Sequence, residues 1–323
     1  MNEQVLISNV SANAVEKQIE ETQSKKVFSN NVFDEKNYLD LKLRHGETQR
    51  TVKIRILPVS ATDSSFCITI KTHSLKLSKS IATSGFKSFI CLNDTKTPNY
   101  DSSVKCPICQ KSNELFEAAK KAREEGNEEL SKTLFKEACQ FKNKDTYIVR
   151  VIERGKEDEG VKFWRFNANS KGEGYYDKLI ALYQLRKQEH AEAGICNDFN
   201  IFDLNNGRDI NLTLTRTLNS RGDESVAIQV ADASISSPLS KDISLANKWI
   251  NDKKVWSDAY SVKNAEYLSI IVDGKIPVFD KDRKCYIALS EKDLNDKKAE
   301  VEAASEVLAE QKNVSIVEED LPF

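Results

Sequence analysis

His73, Cys91, Cys106 and Cys109 stand in one stretch of the chain, the last two in the run Cys106-Pro107-Ile108-Cys109. Two residues between cysteines let both sulfurs face one ion, and thiolates with one imidazole form the tetrahedral donor set that zinc takes. His73 and Cys91 supply the other half of that set. Between Cys91 and Cys106 the chain is polar, running through Asn93, Asp94, Thr95, Lys96, Asn99, Tyr100, Asp101, Ser102 and Ser103. Such a segment cannot bury a core of its own, so a metal staple answers a physical need there. The competing readings of a C-x-x-C are a redox pair or two ordinary buried cysteines. A redox pair belongs beside a βαβ pattern, and none precedes this one. The expectation is one structural Zn2+ on these four residues. Cys67, Cys139, Cys196 and Cys285 read as buried small apolar residues instead.

A second chemistry comes from aromatic rings interleaved with cations. A single strand of nucleic acid exposes base faces and a phosphate line, and a binder offers it aromatic platforms beside a cationic groove. Tyr100, Tyr147, Trp164 and Phe166 are the candidate platforms. Lys105, Lys111, Lys142, Lys144, Arg150, Lys162, Arg165 and Lys171 are the neighbouring cations, joined by Lys53, Arg55 and Lys71 on strands upstream. On this reading Trp164 and Phe166 share an open strand face with Lys162, while Phe163 points to the core with Val161. Each ring taken singly also suits a core, and each cation also suits a solvated surface. Catalysis finds little support. The chain has three histidines, of which His45 and His190 read as surface residues. No phosphate-cradling loop, H-E-x-x-H or G-x-S-x-G is present, and the expectation is a protein without enzymatic activity.

These residues need elements to hold them. Period-two alternation marks strands beginning near Tyr38 (Leu39, Leu41, Leu43), over 51–59 (Val52, Ile54, Ile56) and over 66–71 (Phe66, Ile68, Ile70). Helical spacing follows in 113–141, with stripes Leu115, Phe116, Ala119, Ala122 and Leu130, Leu134, Phe135, Ala138 broken at Gly126-Asn127. Strands return at 145–152 and 161–166, and a helix carries Tyr176, Leu179, Ile180 and Tyr183. A hairpin pairs Ile210, Leu212, Leu214 with Val226, Ile228, Val230. Short helices near 245–251 and 262–273 precede a hairpin over 276–289. A polar helix from 291 would start at the capping box Ser290-Glu291-Lys292-Asp293. The fold class expected is mostly β with inserted helices, a small Greek-key barrel with appendages.

Composition bounds the rest. The chain has 323 residues, 39% hydrophobic and 30% charged, with seven cysteines. No long apolar run predicts a membrane span, and an odd cysteine count suits a reducing cytoplasm better than a disulfide framework. The formal net charge is −2. Residues 291–323 hold ten acidic and four basic residues, or −6, which leaves −2 − (−6) = +4 on the remainder. An acidic tail on a mildly basic body recurs in proteins whose body meets nucleic acid.

With these residues in view, the chain resembles the single-stranded DNA-binding (helix-destabilising) proteins of T-even-type phages over about 28–220. The resemblance rests on Val52-Lys53-Ile54-Arg55-Ile56-Leu57-Pro58, on His73 and Cys91, and on Tyr100-Asp101-Ser102 ahead of Cys106-Pro107-Ile108-Cys109-Gln110. It continues through Lys142-Asn143-Lys144-Asp145-Thr146-Tyr147, Trp164-Arg165-Phe166 and Asp177-Lys178-Leu179. It implies an OB-fold core with a zinc-binding subdomain that coats single-stranded DNA in phage replication, recombination and repair. It also implies DNA contacts from Arg55, Lys71, Tyr100, Lys105, Lys142, Lys144, Tyr147, Arg150, Trp164, Arg165 and Lys171. The chain departs from the family in its longer ligand spacings and in the helical segment after Cys109. The terminal Asp320-Leu321-Pro322-Phe323 is similar to the tip of bacterial single-stranded DNA-binding proteins, which implies docking of replication and repair partners. The organisation expected is an N-terminal arm at 1–31, a candidate for self-association along DNA; a core at 32–232, holding a zinc subdomain at 72–111 and a helical hairpin at 112–141; a further part of the core or an appended subdomain at 233–289; and a polar helix with acidic tail at 290–323. The alternative is a zinc-containing adaptor or structural subunit of a replication or transcription complex, meeting protein or RNA; a metal-dependent nuclease is a weaker rival.

Overall fold

A computed structural model of the chain describes residues 37–78, 85–169, 171–218, 222 and 224–289. The expected N-terminal arm, the capping box at Ser290, the polar helix after it and the tip Asp320-Leu321-Pro322-Phe323 lie outside these residues. The described chain is mostly antiparallel sheet with several helices. Its strands are β1 (Gln49–Leu57), β2 (Ile68–Lys76), β3 (Phe86–Ile90), β4 (Lys144–Glu153), β5 (Lys162–Asn167), β6 (Ile210–Leu218), β7 (Glu224–Asp232), β8 (Ile276–Asp280) and β9 (Cys285–Leu289). Its helices are α1 (Pro107–Glu124), α2 (Glu128–Phe141), α3 (Tyr175–Glu192), α4 (Ile243–Ile250), α5 (Trp256–Ala259) and α6 (Ala265–Val272).

Seven strands form one sheet in the order β3-β2-β4-β1-β6-β7, with β5 pairing to β4; β8 and β9 form a separate hairpin. β4 holds the sheet together. Its first half pairs with β2 (Thr72↔Lys144 to Ile68↔Ile148), its second half with β1 (Leu57↔Arg150 to Ile54↔Glu153), and the middle of the strand also pairs with β5. The sheet is not closed into the expected barrel. The stretch after Tyr38 alternates as expected, with Leu39 buried and Asp40 and Lys42 exposed, but it forms no paired strand. A single bridge from Tyr38 to Phe163 and the bond from Leu39 N to the Phe163 carbonyl hold it to β5. Its backbone is otherwise engaged locally: Arg50 donates to the Asp40 carbonyl at 2.6 Å.

Four clusters fill the interior. The largest packs Val52, Ile54 and Ile56 with Val149, Val151, Trp164, Leu179, Ile210 and Leu212 under α3. A second joins Leu75, Phe89 and Ile108 to Leu268 and Ile271 of α6. The third and fourth lay Trp256 and Tyr260 on Ile70, Ile148 and Phe163, and Leu239 and Trp249 on Leu57, Ile152 and Val161. Residues 239–271 are therefore part of the core packing.

This covering explains three departures from the alternation argument. Arg55, expected on an open cationic face, is fully buried. Its Nη2 donates to the carbonyls of Asp203 (2.8 Å) and Ser237 (2.6 Å), and Nη1 reaches Asp209 at 3.5 Å. Arg150, 3% exposed, donates to the carbonyls of Pro58, Val59, Trp249 and Asp252. Both are internal cross-ties, and neither is free to meet a phosphate. On β5 both faces are covered: Trp164 and Phe166 are 3% and 5% exposed, and Lys162 is buried between Glu153 and Glu159. Trp164 and Phe166 are core, not platforms. Phe163 and Val161 do point inward, as expected.

Two outcomes follow. Replacing Arg55 with methionine leaves the Asp203 and Ser237 carbonyls and the Asp209 carboxylate short of a donor, and urea unfolding should show a loss of about 2–4 kcal/mol. Asp232 accepts from Arg186 (2.8 and 2.9 Å) and Arg208 (2.8 Å), fastening α3 and the segment before β6 to β7. Burial alone raises its pKa, and the two guanidiniums outweigh burial and lower it. The stability it contributes is complete above the unfolded carboxyl value of about 3.9 and is lost as pH falls through the lower folded value. Asp232→Asn should therefore be less stable than the parent at neutral pH, with the gap in urea midpoints closing below about pH 4.

Candidate metal centre and aromatic face

The four expected ligands converge. His73 lies on β2, Cys91 directly after β3, Cys106 at the N-cap of α1 and Cys109 in its first turn. Pro107 opens the helix at the position where a missing N–H costs nothing. Helix therefore begins at Pro107, earlier than the stripe at Leu115 indicated, and the C-x-x-C is its first turn. The ligand atoms all lie within 4.8 Å of one another, with His73, Cys91 and Cys106 buried. Cys91 Sγ to Cys109 Sγ is 3.4 Å, and His73 Nε2 is 3.5 Å from Cys106 Sγ and 3.6 Å from Cys109 Sγ. Metal–sulfur bonds of about 2.3 Å and a metal–nitrogen bond of about 2.0 Å in a tetrahedron give edges of roughly 3.5–3.8 Å. The group could hold one metal ion.

The surroundings orient the ligands. His73 Nδ1 donates to the Phe141 carbonyl at 2.7 Å, so that in the neutral ring the lone pair is on Nε2, the atom that faces the sulfurs. Asn143 Nδ2 lies 3.8 Å from the Cys91 sulfur and 3.6 Å from that of Cys109, and the Cys106 N–H donates to Asn93 Oδ1. Asp94 accepts from the backbone of Lys71 and Lys96, and Thr97 Oγ1 donates to the Cys91 carbonyl. Side-chain-to-backbone bonds thus order the polar loop that composition alone left without a core. Burial disfavours a charged His73, yet its bonds to Cys106 and Cys109 outweigh burial and raise its pKa to about 9. Bonds from Cys109 and Cys91 lower the pKa of Cys106, and bonds to Cys106 and Cys109 raise that of Cys91. Packed this closely, the sulfurs need positive charge among them. Asn143, Asn93 and the Phe141 carbonyl were missed from sequence; Asn143, between Lys142 and Lys144, carried no signal.

The other cysteines stand apart from this group. Cys139 is exposed and Cys67, Cys196 and Cys285 are half-buried, which corrects the expectation that they are buried. Cys196 Sγ donates to Asp198 at 2.7 Å. His45 is exposed as expected, but His190 is half-buried, stacked on Phe199 at 3.7 Å, with Arg208 donating to its Nε2.

Of the expected nucleic-acid contacts, Tyr100, Lys105, Lys142, Lys144, Arg165 and Lys171 are exposed. Lys71 is half exposed and paired to Asp145 at 2.9 Å. Arg165 stacks on the Tyr260 ring at 4.5 Å. Tyr147 is half-buried and belongs to a feature not foreseen, a line of stacked rings drawn from separate elements. Its centroid lies 4.3 Å from Tyr176; Tyr176 lies 5.7 Å from Phe66, Phe66 4.9 Å from Phe202, and Phe202 6.2 Å from Tyr183. Consecutive planes differ by 5–19°, and all five rings are partly exposed. Tyr176 and Tyr183, two helical turns apart on one face of α3, were the signal in the sequence. Phe66, Tyr183 and Phe202 also line a cavity of about 620 Å³ walled by the loop of Pro58, Ser60 and Ser65. Lys96 of the metal loop adds positive charge beside Cys67, next to Phe66.

No protein-family model matches this chain, and no curated protein matches it. Among the described residues no helix is long and apolar enough to cross a membrane.

Elemental analysis of the purified chain should find one metal ion per molecule, and Cys106→Ser should lose it. Stripping the ion with a strong chelator should lower the melting temperature and the helical signal of α1 together, because two ligands are that helix's cap and first turn. A melting curve indifferent to chelation would exclude a structural ion.

Proposed function

We propose that this chain binds single-stranded DNA without turning it over, holding one zinc ion as a structural element. The observation that carries this reading is the line Tyr147–Tyr176–Phe66–Phe202–Tyr183, partly open to solvent along one side of the sheet. These rings pack against the largest core cluster with part of their surface open, and unpaired bases have π-faces that can cover such surface irrespective of sequence. Lys96 carries exposed positive charge beside Cys67, next to Phe66, and Lys142 and Lys144 are exposed where the strand of Tyr147 begins, cations of the kind a phosphate line needs. Three thiolates and an imidazole favour zinc over hard cations such as magnesium or calcium. The metal would fix the loop that carries Tyr100 and Lys105.

On this reading the antiparallel sheet is an OB-type core, and the chain is a relative of the phage helix-destabilising proteins. The acidic tip at Asp320-Leu321-Pro322-Phe323 then recruits replication and repair enzymes. Coating and protecting a strand requires only reversible contacts, so no acid–base or nucleophilic residues are needed.

Binding of a fluorescent oligothymidine, titrated with salt and challenged by duplex of equal length, tests the reading. Affinity should fall linearly on logarithmic axes as salt rises, and duplex should fail to compete. Tyr147→Ala and Tyr183→Ala, at the two ends of the line, should each weaken binding by about 1–3 kcal/mol, one stacked base apiece, with unchanged metal content. Absent or duplex-favouring binding would overturn the proposal and favour an adaptor that meets protein or RNA.

A further inference from the structure

β7 ends the sheet and is paired to β6 on one side only. The bond from Ala233 N to the Asp209 carbonyl, in step with the β6–β7 register, shows which residues face which way. In an antiparallel ladder the hydrogen-bonded pairs recur at every second residue, so the odd-numbered residues of β7 bond to β6. The N–H and C=O groups of Val226, Ile228 and Val230 point away from it, and among the described residues no strand or turn pairs with them. Such an edge is a template for another strand, and proteins blunt it with shortness, lysine, proline or a bulge. β3, at the other end of the sheet, is five residues long and holds Lys87. β7 runs for nine residues without lysine, proline or glycine, and its register is unbroken.

The sequence of the strand indicates what fits it. Outward from Ile228, Val226 mirrors Val230, the small Ser225 mirrors Ala231, and Glu224 mirrors Asp232. Turned about a two-fold axis through Ile228, the strand meets its own residue types, as a contact between identical surfaces requires. We propose that β7 pairs antiparallel with β7 of a second copy of this chain, Ile228 opposite Ile228, joining two sheets into one. Ile228 and Val230 already pack against the largest cluster. The pairing continues that apolar face and lays Val226, 43% exposed, against Val230 of the other copy. The carboxylates that meet at the two ends arrive paired, Glu224 with Arg216 and Asp232 with Arg186 and Arg208, so this register brings no unpaired like charges together.

Sedimentation equilibrium of the full-length chain, without nucleic acid, tests this independently of the single-strand reading. The parent should be a dimer that dissociates on dilution. Val226→Pro removes one outward N–H from each copy and no bond to β6. It should weaken the dimer at least about tenfold, as expected for two hydrogen bonds, with the circular dichroism of the chain unchanged. Positions 227 and 229 are exposed, and each faces the other across the axis. Ala227→Lys with Gln229→Lys opposes like charges twice and should weaken the dimer by a similar factor, whereas Ala227→Lys with Gln229→Glu should restore it. A parent that is monomeric at every concentration overturns the proposal, as does a dimer indifferent to Val226→Pro and to the like-charged pair. Failure of the opposite-charged pair to restore the dimer overturns the register about Ile228. A monomer whose Val226, Ile228 and Val230 amides resist hydrogen exchange until residues 1–36 or 290–323 are removed overturns the proposal in favour of the chain's own terminal segment on this edge.

Discussion

Along one edge of β4 the backbone groups of its first half go to β2 and those of its second half go to β1, so two strands meet end to end on a single partner. Antiparallel pairs on one edge cannot remain flat through such a handover, because each neighbour imposes its own twist on the strand they share. Buried clusters pack against both sides of the sheet. One side takes α3 and the largest cluster; the other takes α4 and α5. The metal loop bonds to β2 at Lys71, and Tyr147 of the aromatic line lies in the β2 half of this strand.

A sheet covered on both sides has few places for charge, which accounts for where sequence reasoning succeeded and failed. Alternation located β1, β2, β4, β5, β6 and β7, because burial of one face is a local matter of side-chain period. It misassigned Arg55, Lys162 and Arg150, because the second face is covered by segments far away in sequence: the carbonyls bonded by Arg55 belong to Asp203 and Ser237, and two of those bonded by Arg150 to Trp249 and Asp252. A cation on a strand reads as solvent-facing until its distant acceptors are known. β3 went unrecognised because Phe86-Lys87-Ser88-Phe89-Ile90 is short and weakly alternating.

The metal quartet was legible for the opposite reason. Few residue types bind zinc through sulfur or imidazole, so type and order alone narrow the choice to four positions. The stacked rings had no such signature. They come from the segment before β2, from β4, from α3 and from the turn at Phe202, and an aromatic residue belongs equally well in a core or on a surface. Only Tyr176 and Tyr183 share an element, so the line forms once the chain has folded.

The helical hairpin carries its own lesson. Cys109, near the start of α1, lies 3.6 Å from His73 Nε2, and the carbonyl of Phe141, the last residue of α2, lies 2.7 Å from Nδ1 of the same imidazole. An excursion of more than thirty residues thus departs from and returns to opposite edges of one ring. Its two mouths are already held together, so a change in its length carries only the slow logarithmic cost of loop closure. The hairpin is in effect a graft: an outgrowth that can be lengthened, trimmed or exchanged at the turn of Gly126 and Asn127 without disturbing the register of any strand in the sheet.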